Sequence, residues 1–150
     1  MAIPAMAQVA PTTILEDATV PRSKLPEMVR FVQKIAEKYK LTVGTFGHFG
    51  DGNLHPTFLA NERNRDEIHR VHEAVTEIFS YAVALRGTIS GEHRIGLTKK
   101  SFLPSAIGEI NVRILREIKR VLDPQGILNP GKIFEQERSA GATAGRSAPS

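Results

Sequence analysis

The stretch His48-Phe49-Gly50-Asp51-Gly52-Asn53-Leu54-His55 decides the fold. Before it, Leu41 to Phe49 are rich in β-branched and aromatic side chains, and after it Leu54 to Leu59 have the same character. Two such runs around a Gly-Asp-Gly-Asn cluster predict a β-hairpin. If Asp51-Gly52 forms the centre of a type I′ turn, which favours that pair, then Gly50 faces Asn53 and Phe49 faces Leu54. His48 then falls directly opposite His55. Opposed residues share a face, with Cβ atoms about 4.5–5.5 Å apart.

Outward from the hairpin the pattern is helical. Thr13 to Val20 reads as a short strand stopped by Pro21, and Pro26 opens a helix reaching Lys40. Met28, Val29, Val32, Ile35, Ala36 and Tyr39 recur along it at helical spacing. Asn61 is placed to cap a long helix from Arg63 to Leu85, with Ile68, Val71, Val75, Ile78, Ala82 and Leu85 on one face and Gly87 at its end. Thr88-Ile89-Ser90 is a short extended piece leading to Gly91-Glu92-His93. A further helix is predicted from Ser105 to Leu122, with Ile107, Ile110, Ile114, Ile118 and Val121 as its core stripe; Asp123 to Lys132 is turn-rich. Strand, helix, hairpin, helix, strand is the ferredoxin-like order. The expectation is an α+β fold with helices on one face of an antiparallel sheet. Residues 1–12, rich in Ala and Pro, are expected to be unstructured, 13–135 to form the domain, and 136–150 to be a disordered tail.

Composition narrows the function. A chain of 150 residues that is 41% hydrophobic and 24% charged suits one globular domain. The absence of cysteine excludes a disulfide framework, thiolate catalysis and any Cys-ligated metal, leaving chemistry to histidine and carboxylates. The net charge of +4 is spread along the chain, with no tryptophan and two tyrosines, which argues against a nucleic-acid partner and fits a small anion better. No apolar run approaches the ~20 residues of a membrane span. The N-terminus lacks the charged start of a signal peptide. A soluble, cytoplasmic protein is expected, membrane-associated at most through partners.

Two opposed imidazoles can chelate one divalent cation at about 2.0–2.1 Å from each nitrogen. They can equally be a packed or exposed pair, with Gly50 to Asn53 no more than a tight turn. In Ser90-Gly91-Glu92-His93-Arg94-Ile95-Gly96, Glu92 offers a third, oxygen ligand, and two His with one carboxylate leave positions open for water or substrate. His93 is then free to act as a base, since histidine ordinarily titrates near neutral pH. The plainer reading is a loop with a solvated Glu and a capping His. His69 and His72 belong to a solvated helix flank. Arg22 and Lys24 could meet a carboxylate or be surface charge.

Four stretches together resemble the C-terminal domain of the FAD-linked oxidases, the glycolate oxidase flavin subunit and D-lactate dehydrogenase family. They are Glu16 to Lys24, Gly47 to Thr57, Gly87 to Gly96 and Asp123 to Lys132, in the family's order. The resemblance implies FAD, held mainly by a domain outside these residues, and a divalent metal, usually zinc, on His48, His55 and Glu92. It implies His93 as the catalytic base, Asn129 as a cofactor contact and Thr57 as a substrate contact. The implied reaction is oxidation of a small 2-hydroxy acid, with hydride transfer from C2 to flavin and metal-assisted deprotonation. Thr57 matches the glycolate- and lactate-type members. Arg94 stands where the family usually has glycine. The family's FAD-binding domain is not represented, so the chain is expected to be the C-terminal part of such an enzyme, inactive alone, with a separate FAD-binding chain as a candidate partner. The alternatives are a free-standing divalent-metal-binding module without redox activity and a metal-dependent hydrolase using the same three ligands.

Overall fold

The computed structural model describes residues 2–135. The tail expected at 136–150 lies outside them. The chain runs α1 (Ala2–Met6), β1 (Thr12–Leu15), β2 (Ala18–Thr19), α2 (Leu25–Tyr39), β3 (Thr42–His48), β4 (Asn53–Ala60), α3 (Arg65–Ala84), α4 (Leu103–Ile107) and α5 (Glu109–Leu122). No helix among the described residues is long and apolar enough to cross a membrane.

The sheet is built around β4. Along one edge β3 pairs with it antiparallel, from Thr42↔Leu59 to His48↔Asn53. That leaves the other edge for β1 and β2, and their register runs unbroken from Leu15↔Thr57 to Ala18↔Leu54. They are one strand, interrupted where it passes Pro56. Glu16 N donates to Pro56 O at 2.9 Å, but proline has no N–H to return. On the far side of β2, Thr19 and Thr88 exchange backbone bonds of 3.0 and 2.8 Å. The spatial order is therefore the Thr88 segment, β1/β2, β4, β3, the α+β ferredoxin-like arrangement anticipated from the sequence.

Strand alternation divides the two faces of β4. Leu54, Phe58 and Ala60 point into the core with Met28, Val32 and Ile35 of α2. Val71, Ala74, Val75, Ile78, Phe79 and Ala82 of α3 complete it. The helices are tied to each other by stacking of Phe31 on Tyr81 at 3.8 Å and by Tyr81 Oη donating to Glu27 at 2.7 Å. Asn53, His55, Thr57 and Leu59 point the other way and are still buried.

Several local expectations are corrected. Ala2–Met6 is helical rather than unstructured, and Met6 fills the space that a side chain at Gly44 would take. The cap of α3 is Asn64, whose side chain accepts from Glu67 N at 3.2 Å; Asn61 instead accepts from Arg63 N in a turn. The helix predicted from Ser105 is broken at Gly108 (φ 82°, ψ 150°). Beyond that break α5 turns only Val112 inward. Ile110, Ile114, Ile118 and Val121, read as a core stripe, are half or more exposed.

The hairpin turn is two residues longer than expected. Residues 49–51 form a 3₁₀ turn closed by Gly52 at φ 79°. This turn docks on the main chain of Val20, whose N–H donates to Gly52 O at 3.0 Å and whose carbonyl oxygen occupies the place of a Gly52 side chain. His48 thus pairs with Asn53, and His55 with Phe46. Because side chains alternate with period two, a slip of two leaves both histidines on one face as diagonal neighbours.

Candidate metal centre

Three rows cross the sheet face away from the helices. Leu15, Thr57 and Gly44 form the first, and Thr19, Asn53 and His48 the last. The unbroken register puts Asp17 level with His55, so the middle row is Asp17, His55 and Phe46. The loop after Ile89 crosses over the last two rows. Gly91 rests on the Asn53 amide and the Thr19 hydroxyl, both 2.6 Å from where its Cβ would be, and Thr19 Oγ1 donates to Asn53 Oδ1 at 3.2 Å.

This crossing brings Glu92 to the histidines. Its Oε1 lies 3.0 Å from His55 Nε2, 3.3 Å from His48 Nε2 and 3.8 Å from His93 Nε2. One ligand atom each from His48, His55 and Glu92 falls within 4.8 Å of the others. His55 is buried between Phe46, 5.4 Å away, and the His93 ring, stacked on it at 4.9 Å. The His48 ring meets it edge-on at 5.5 Å. The side chains of His48 and Glu92 are 60% and 49% exposed, so the cluster opens toward solvent on one side.

The loop is held by a carboxylate beneath it. Asp17 accepts the N–H groups of Gly91, Glu92 and His93 at 2.5, 3.0 and 2.7 Å and the Ser90 hydroxyl at 3.3 Å. Burial would raise the Asp17 carboxyl, but the His93, Gly91 and Glu92 amides and the charge of Lys99 together hold it below its ordinary value. Lys99 is itself buried, and its Nζ donates to Asp17 O at 3.0 Å and Ile89 O at 2.9 Å. Desolvation lowers its ammonium below the usual range, against the opposing pull of Asp17 and Glu16. For Glu16 burial wins, and its carboxyl sits above the usual value despite Lys99.

The donor set fits a borderline divalent cation. Two imidazole nitrogens and one carboxylate oxygen match zinc-type ligation, and the solvent side leaves room for a further ligand. His55 turns Nε2 to the cluster, while its Nδ1 is buried without a partner among the described residues. His93 Nε2 faces the same carboxylate oxygen, at 3.8 Å. Thr57 shares the face of His55 but is fully buried, its hydroxyl donating to His55 O at 3.4 Å. Asn129 is not brought to the cluster. It sits at φ 49° in the closing turns, which are tied to Lys100 and Lys119. Arg94 takes φ 66°, a left-handed conformation in which glycine is at ease.

Asp17 and Lys99 are neighbours of the cluster that the sequence reading did not single out. Nothing local distinguishes one acidic residue within a short strand, or one of two adjacent lysines. Only pairing of β1/β2 with β4 sets Asp17 beside His55.

The chain matches the family model described as FAD linked oxidases, C-terminal domain, over residues 1–133. It is 48% identical over 136 residues to the glycolate oxidase subunit GlcD of Bacillus subtilis, covering 91% of this chain and 29% of that protein. Similarity extends to the D-lactate dehydrogenase of Archaeoglobus fulgidus, 40% identical over 80% of this chain and 26% of the relative. A probable mitochondrial D-lactate dehydrogenase of Danio rerio is 34% identical over 79% of this chain and 24% of the relative. The chain thus spans about a quarter of the length of these relatives.

Proposed function

The chain belongs to the FAD linked oxidases by their C-terminal domain, and from that membership we propose that it supplies the substrate- and metal-binding side of a 2-hydroxy-acid oxidoreductase acting on glycolate or D-lactate. The observation that carries this reading is the convergence of His48, His55 and Glu92, with His93 beside them, on one face of the sheet. His48, His55 and Glu92 hold the divalent cation, which we take as zinc. When bound, FAD supplies a two-electron acceptor and the cation a Lewis acid.

The chain's own residues do the rest. His93 accepts the hydroxyl proton of the substrate at Nε2, from a ring held flat against His55. Glu92 Oε1 faces the Nε2 atoms of both His48 and His55, so the three groups that would hold the cation already converge on one point. We assign a substrate contact to Thr57 and a cofactor contact to Asn129. The main FAD contacts fall to the part of the relatives outside the matched region, in the same polypeptide or in a separate FAD-binding chain.

The test is the metal content of the purified chain and its His48→Ala and Glu92→Ala variants. Near-stoichiometric zinc or manganese in the wild type, lost in both variants, is the expected outcome. A wild type that takes up no metal from a zinc-buffered solution overturns the metal assignment. A second reading, a metal-binding module without redox activity, draws on the same observation, because all four groups come from this one domain. It is separated from the first by adding a FAD-binding chain of the family and asking whether glycolate or D-lactate bleaches the flavin.

A further inference from the structure

We propose that Asp17 is a positioning residue for Glu92 and His93, its buried carboxylate acting as the anchor that sets the Gly91-Glu92-His93 loop over His55. Three consecutive backbone N–H groups converge on this one side chain. Successive amides turned to one side form a concave anion seat, occupied here from within the chain. Asp17 has no exposed surface, and it stands level with His55 across the strands. Its oxygens therefore fix the height and lateral position of the loop relative to the imidazole that Glu92 must meet.

Charge balance with Lys99 is the competing role for this carboxylate, and the distances rank it second. Lys99 Nζ is 3.9 Å from Asp17 Oδ2, whereas the three amides lie at 2.5 to 3.0 Å. The short bonds of Lys99 go instead to the carbonyls of Asp17 and Ile89, one on each side of the junction between strand and loop. Lys99 thus fastens the base of the loop and Asp17 its crest. Above that crest the side chains of Glu92 and His93, 49% and 35% exposed, meet the sheet through His48 and His55.

The experiment uses the full chain and compares wild type with Asp17→Asn. The asparagine keeps the shape but offers one acceptor oxygen and turns an NH2 group toward the amides. Amide hydrogen exchange at Gly91, Glu92 and His93 is expected to rise at least tenfold, with exchange at Val71 and Ile78 in the core unchanged. Zinc affinity, measured by chelator competition, is expected to fall 10- to 100-fold, the usual effect of losing a group that orients a ligand. If Asp17→Asn does not fold, Asp17→Glu keeps the charge beside Lys99, moves the oxygens by one methylene and carries the same test. Unchanged exchange at residues 91–93 overturns the proposal. The affinity arm rests on the metal reading above, but exchange needs no metal, so a wild type that binds no zinc defeats that reading alone.

Discussion

Glu92 Oε1 stands 3.0 Å from His55 Nε2, a contact between a half-exposed loop carboxylate and an imidazole buried in the central strand. The two partners enter the same cluster from opposite mechanical situations. One is fixed by the sheet, and the other by whatever holds the loop.

That asymmetry separates the two histidines. His55→Ala empties a packed position between Phe46 and His93 and is expected to lower unfolding free energy by about 2–3 kcal/mol. His48→Ala, at an exposed site, is expected to change it by no more than about 0.5 kcal/mol. Urea unfolding with EDTA present reads the difference without interference from bound metal. Equal losses for both variants contradict the assigned burial.

Gly91 has no space for a side chain. A methyl there meets the Asn53 amide and the Thr19 hydroxyl, so Gly91→Ala forces the loop away from the sheet. The expected cost is about 1–3 kcal/mol. The His55 and His93 rings should also separate, seen as loss of the NOE between their protons. Retention of that NOE means the loop tolerates the methyl and its height is set elsewhere.

Arg94 holds a left-handed conformation that costs a non-glycine residue about 1–2 kcal/mol. Glycine loses about 0.4–1 kcal/mol of that gain through its greater freedom when unfolded. Arg94→Gly is therefore expected to raise the unfolding free energy by roughly 0.5–1 kcal/mol, as a higher urea midpoint at unchanged m-value. A lower midpoint means the Arg94 side chain makes a stabilising contact that outweighs the backbone strain.

Asp123 gives the C-terminal turns a pH dependence. Its carboxylate takes a hydrogen bond from Lys119 and the N–H groups of Leu128 and Ile127, which together outweigh burial and hold it below the ordinary 3.8. A group depressed in the folded state contributes fully above its unfolded value and is lost as pH falls through its folded value. The Ile127 and Leu128 amide proton shifts should thus titrate with a midpoint below 3.8. Asp123→Asn should abolish the transition. A midpoint above 3.8 contradicts the bonding pattern.

Much of the layout was legible from local pattern. The helical spacing of Met28, Val32 and Ile35, the β-branched runs around Gly50 to Asn53, and the strand–helix–hairpin–helix–strand order led to the observed topology. The candidate residues His48, His55, Glu92 and His93 were named from motif and residue type. What misled were features with a second solution of similar local cost. Asn61 and Asn64 can each cap, and the choice went to the one whose side chain meets Glu67 N. A turn of two residues and one of four serve the same Gly-Asp-Gly-Asn cluster, and docking of Gly52 on Val20 selected the longer. The stripe on α5 has the period of a core face, yet the break at Gly108 turned it outward.

By itself, then, the sequence determined which side chains could do chemistry and that the two histidines would share a face, since alternation with period two survives an even slip in register. Only the tertiary structure decided that Glu92 meets them and that Asp17 anchors its loop. Those contacts join residues far apart in the chain, and they exist because an unbroken register along β4 sets Asp17 beside His55 while the Thr19–Thr88 bridge delivers the loop above both.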